Sequence, residues 1–213
     1  MERKIETMKR SLLLLCLCIG ICSILFAQSE RAYRIGDTGP AGGIIFYDKG
    51  SFSNGWRYLE AAPVETEEQL DWGPEGVRFR GLQDGVGWGR QNTRIIVEQL
   101  DSLGETGYAA QYCDDLDVNG FTDWFLPSKD ELNLMFRNLR QRNLGGFQKS
   151  ISSSHIQTKN MVYYSSSWVY GANVPLVQVF NVPYSDDWSF VLGEFWDDHD
   201  PYFVACVRAI RAF

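Results

Sequence analysis

Histidine is almost missing from this chain: its 213 residues hold only His155 and His199, and each falls in a stretch that reads as loop. The side chain best suited to proton transfer near neutral pH is therefore scarce. Nor does the chain contain a G-x-S-x-G elbow, an H-E-x-x-H pair or a C-x-x-C. Hydrolase, zinc and thioredoxin-type chemistry thus lack their minimum parts. The glycine-dense run from Asp84 to Thr93 (DGVGWGRQNT) fails as a phosphate loop. That spacing would need Gly at Asp84, Lys at Arg90 and Ser or Thr at Gln91. No run of like charge or biased composition marks a disordered arm. With 45% apolar, 14% aromatic and 22% charged residues, the chain has the makings of one ordinary, aromatic-rich globular domain.

Cysteine is scarce and unevenly placed. Three of the five, Cys16, Cys18 and Cys22, lie near the start. There Lys9 and Arg10 precede an apolar run from Leu12 to Phe26 and a small residue, Ala27, as in a secretory signal cleaved after residue 27. The run, about 15 residues, is short against the roughly 20 needed to span a bilayer. Large residues before each of the three cysteines argue against lipidation. The expected mature chain, 28–213, is a single domain without a transmembrane span, placed in the periplasm, at the cell surface or outside the cell. Losing residues 1–27 removes four basic and two acidic side chains and takes the net charge from −7 to −9. That disfavours nucleic acid and other polyanions, and suits neutral sugars, cations or basic partners.

Two cysteines remain, Cys113 and Cys206. An even pair in an oxidising compartment is expected to form a disulfide. It would close a loop of about 90 residues and stabilise by on the order of 4 kcal/mol. The alternative is two separate buried thiols.

The chain is organised around Asn119 to Leu132 (NGFTDWFLPSKDEL). Asn119-Gly120 is a turn, Trp124 to Leu126 an apolar block, and Pro127 disfavours helix at Leu126. Ser128 and Glu131 fit a capping box, after which Leu132, Met135, Phe136 and Leu139 mark one apolar helix face. The preceding block is its expected partner.

Other elements follow from local pattern. GDTGPAGG has too few Gly triplets for collagen and reads as a turn into a strand Gly43–Tyr47, with a second strand at Trp56–Ala61. A helix capped near Asn92 runs through Ile95, Ile96 and Leu100, and a short one covers Tyr108–Leu116. After a polar loop, strands are expected at Met161–Ser165, Ser167–Tyr170, Leu176–Val182, Trp188–Leu192 and Phe203–Arg211. The last reads as a central strand carrying Arg208 and Arg211 toward its end. Helices followed by strands imply an α+β fold.

The runs DWFLPSKDEL, YCDDL, YYSSSWVY and CVRAIRAF, with GDTGPAGGIIFYDKG and GWRYLEAAP near the start, resemble the Lcl C-terminal domain family of exported bacterial proteins. The resemblance covers Ile35 to Phe213. It implies a C-type-lectin-like fold, two or three helices packed on antiparallel strands, in a superfamily that includes glycan-binding modules and formylglycine-generating oxidases. Such analogy carries no activity by itself. Those oxidases need reactive cysteines, whereas Cys113 and Cys206 look structural.

Two acidic constellations are candidate sites. Asp115, Asp117, Asn119 and Asp123 supply most of a calcium loop around Gly120, but position twelve is Leu126 instead of Glu. Calcium is the one cofactor the pattern suggests, and a plain polar turn is the alternative. The second comprises Tyr184, Trp188, Trp196, Asp197, Asp198 and Asp200, aromatics beside carboxylates in the loops before the last strands. Such a set suits a sugar face and its hydroxyls, or packs inward in an ordinary hairpin. The expectation is an exported envelope binding or adhesion module for a glycan or protein, with an enzyme and a structural envelope component as competing readings.

Overall fold

The computed structural model describes residues 32–147, 162–169, 174–180, 190–191 and 205–213. Tyr33–Phe213 forms one structural unit, distinct from Met1–Ala32. Its elements are β1 (Ile44–Ser53), β2 (Trp56–Ala61), β3 (Glu68–Leu70), α1 (Gly89–Leu103), α2 (Ala109–Asp114), α3 (Lys129–Asn138), β4 (Val162–Val169), β5 (Val174–Val179), β6 (Phe190–Val191), β7 (Ala205–Val207) and β8 (Ile210–Ala212). The fold is α+β, with three helices and two sheets among the described residues. None of those helices is long and apolar enough to cross a membrane.

One sheet has the order β1-β2-β8 and is antiparallel throughout. The other has the order β3-β7-β4-β5-β6, antiparallel except where β4 runs parallel to β7. Strand β1 is longer than its apolar half because Asn54 and Gly55, at φ 50° and 82°, form the two-residue turn that hairpin twist favours. Ser53 pairs with Trp56 across it.

The final run is not one central strand. Cys206 pairs with Gln69 and Tyr163 in the larger sheet, whereas Ile210 pairs with Ala61 in the smaller one. The chain changes sheet at Arg208–Ala209 because both arginines are buried and must be neutralised. Arg208 donates to Ala62 O at 2.5 Å and Gly145 O at 3.0 Å, and pairs with Glu67 at 2.5 Å. A regular strand through this point would leave that guanidinium unpaired in the core, at a cost of several kcal/mol.

Ser128 and Glu131 form the expected capping box: Glu131 N donates to Ser128 Oγ at 3.3 Å, and Ser128 N to Glu131 Oε2 at 2.8 Å. Leu132, Met135, Phe136 and Leu139 are buried as the spacing requires, but only Phe125 of the preceding block shares their cluster. Trp124 and Leu126 face the other cluster, with Ile96, Leu100 and Cys113. Alternate residues of that extended block point to opposite sides, so it separates two cores.

That separation also corrects the expected disulfide. Cys113 and Cys206 are both free and buried, one in each cluster. Burial raises both thiols, Cys206 to about 12. They are inert packing groups, the alternative that the residues left open.

Helix α1 begins at Gly89, three residues before the expected cap. Asn92 is instead a buried clamp inside it. Gln83 N donates to Asn92 Oδ1 at 2.9 Å, and Asn92 Nδ2 to Gln83 O at 2.7 Å. This ties the glycine-dense loop back onto the helix it feeds.

Candidate functional site

An open groove of about 910 Å³ lies between the first hairpin and the start of α1. One wall is the β1–β2 hairpin. Tyr47 and Trp56 stand on its face with ring centroids 6.3 Å apart, and Lys49 folds back, its Nζ 3.7 Å from the Trp56 centroid while donating to Ser53 O. Without the Asn54-Gly55 turn, this face would not project beyond the small sheet. That dipeptide between apolar runs is the sequence signal that could have located the groove.

The facing wall is the segment Val86–Trp88 with Arg90 of α1. Trp88 remains 45% exposed. Its placement rests on glycines at 87 and 89. Gly87 has φ +96°, and a Cβ on Gly89 would stand 2.3 Å from Glu131 Oε2 and 2.9 Å from Leu126 O. Only glycine fits such an approach.

Glu131 lines the groove yet is wholly buried. Oε1 accepts from Gly87 N at 2.8 Å and Oε2 from Ser128 N at 2.8 Å, with Gly89 N also contributing. Desolvation outweighs these bonds and raises its pKa to about 7. Ser128 Oγ in turn donates to Gly85 O at 2.9 Å. The capping box that starts α3 therefore also fastens the loop that carries Trp88.

Asp123, Phe125 and Ala212 complete the groove. Asp123 binds Arg211 closely, at 2.8 Å through Nε and 3.3 Å through Nη2, and Arg90 only at 3.4 Å. Burial works to raise this carboxyl, but the Arg211 hydrogen bond and charge, with Arg90, leave it lowered. Arg211 also holds Glu60 at 3.2 Å. Glu60 accepts from Ala41 N and Gly43 N, so the GDTGPAGG turn wraps a buried carboxylate, a role its composition does not disclose.

The structure disperses the proposed calcium loop. Asp123 is committed to arginines. Asn119 donates to Ala41 O at 2.9 Å, and Asp117 accepts from Gly120 N at 2.9 Å. Asp115 caps the end of α2. Among the described residues no group of three or more His, Cys, Asp or Glu side chains converges as a metal site requires. Tyr184, Trp188, Trp196, Asp197, Asp198 and Asp200 lie outside the described residues. Arg208 and Arg211 are spent internally and form no surface patch. Of the basic residues that line the groove the exposed one is Arg90, which the sequence presented only as a mismatch to a phosphate loop.

No protein-family model, no curated protein and no solved structure matches the chain.

Proposed function

We propose that the protein is an exported binding module of the bacterial cell envelope, and that the groove between the hairpin and α1 takes a saccharide. The observation that carries this reading is the composition of the groove. Aromatic rings at Tyr47, Trp56 and Trp88 line it together with polar groups at Asn54, Arg90 and Asp123, the combination that covers a sugar's apolar face while meeting its hydroxyls. The finer fold assignment, a C-type-lectin-like domain of the Lcl C-terminal kind, belongs to the same proposal. It is supported by the placing of the three helices between β3 and β4 and by the return of β8 to the sheet opened by β1 and β2.

A glycan array on residues 28–213, wild type against Trp88→Ala, tests the reading. Binding should fall at least tenfold, about 1.4 kcal/mol, with the melting temperature nearly unchanged because the ring is half exposed. Equal binding by the variant at every positive glycan would remove the groove from consideration.

A second reading, a hydrolase, is favoured by one observation: Glu131 and Asp123 line the same groove with pKa values displaced in opposite directions, as acid and base partners often are. Against it, both Glu131 oxygens already accept backbone N–H groups. Turnover of aryl glycosides that disappears in Glu131→Gln and Asp123→Asn would establish it over simple binding.

A further inference from the structure

Six charged groups stand at and behind the groove: Lys49, Arg90, Arg211, Glu60, Asp123 and Glu131. Arg211 is buried between Glu60 and Asp123. Arg90 is the loosely attached outer member, its side chain 53% exposed and its contacts to Asp123 and Ala212 O both at 3.4 Å. Lys49 forms no ion pair among the described residues and rests over Trp56. The three carboxylates are taken up by other donors, Glu60 and Asp123 by Arg211 and Glu131 by backbone N–H groups, so the cations left to meet a ligand are Arg90 and Lys49, in a protein whose net charge is −7.

The guanidinium of Arg90 stacks over the Phe125 ring at 5.2 Å, which orients the group without consuming its short hydrogen bonds. A planar donor fork of this kind matches a carboxylate in bidentate fashion. Lys49, held over Trp56 by its bond to Ser53 O, supplies a second charge among the aromatic rings.

We propose that the groove contains a carboxylate subsite formed by Arg90 and Lys49, and that its ligand is a saccharide residue bearing a single carboxylate, such as a hexuronate. This rests on the saccharide reading above. Arg90 and Lys49 together can hold one carboxylate, the first through its planar fork and the second as a point charge. A polyanion would meet the acidic remainder of the surface. Glu131 reinforces the limit, because its buried carboxyl, ionised above about pH 7, adds negative charge behind Arg90.

The test is titration of residues 28–213 with the methyl glycosides of D-glucuronate and D-galacturonate, each against its neutral counterpart, followed by saturation-transfer NMR and calorimetry. The expected result is at least tenfold tighter binding of a uronate than of its neutral partner, weakened by added salt. Arg90→Gln should abolish the preference and Lys49→Gln reduce it, with circular dichroism checking that both variants are folded. If uronate and neutral sugar bind alike, or Arg90→Gln retains the preference, the carboxylate subsite is refuted and the saccharide groove stands. Tighter binding of glucose 6-phosphate or a sulfated polysaccharide refutes the monoanion assignment. If none of these probes binds, the saccharide reading falls and the subsite falls with it.

Discussion

Arg211 Nη1 stands 3.2 Å from Glu60 Oε2, and both side chains are almost wholly removed from solvent. Through this contact the last strand is fixed to the first hairpin and to the glycine turn around Glu60. The same guanidinium reaches Asp123 at the groove and lies 4.3 Å from the Phe121 ring centroid. One side chain therefore connects the chain's final segment, its early turn and the candidate site.

Arg211→Met should destabilise the domain by about 3–5 kcal/mol, because it leaves Glu60 buried without its counter-charge. Adding Glu60→Gln to that variant should recover part of the loss. Urea denaturation of the single and double variants measures the coupling. Equal stability of the two would mean that the pair contributes little.

Gly43→Ala should be far more damaging than Gly50→Ala, although only Gly50 has a positive φ. A Cβ at Gly43 would stand 2.1 Å from the backbone oxygen of Ala61, whereas one at Gly50 meets nothing within 4 Å. Overpacking of this kind costs about 1–3 kcal/mol or more, against roughly 1 kcal/mol for the strained backbone at Gly50. Thermal melts of the two variants side by side give the order.

Glu131 makes stability depend on pH in a definite direction. Its folded pKa, raised from 4.5 to about 7, lies above the unfolded value, so the folded state holds the proton more tightly. The contribution is complete below about pH 4.5, declines as pH rises toward 7, and is absent above it. Its size is on the order of 3 kcal/mol. The difference in unfolding free energy between wild type and Glu131→Gln, measured from pH 4 to 8, isolates this group from Glu60, which is raised by burial in the same sense. A flat difference would contradict the assignment.

Cys113 and Cys206 should resist alkylation in the native protein whether or not reductant is present, because both are buried. In denaturant without reductant, both should label at once. Peptide mapping by mass spectrometry distinguishes this from a disulfide, in which labelling after denaturation would still require reductant.

Local rules made several features legible in advance. The Ser128-x-x-Glu131 cap, the apolar face from Leu132 to Leu139 and the β1 and β2 cores are decided within a few residues. There, hydrogen-bond geometry and side-chain period leave few options. Asn54-Gly55 belonged with them and would have extended β1 to the groove.

Other features depended on distant partners. Nothing local in Phe203–Arg211 tells that the run changes sheets, because the cause lies in Glu67, Glu60 and Asp123, far away in the chain. Cys113 and Cys206 looked like partners by count, and only the packing of Trp124 and Phe125 to opposite sides assigns them to separate cores. Glu131 shows both levels in one residue. The sequence by itself determined its place in a helix cap, since that needs only Ser128. Its second task, fastening Gly87 at the groove wall, was decided by tertiary structure alone, because a buried carboxylate must find donors for both oxygens and the donor to Oε1 lies 44 residues away in the chain.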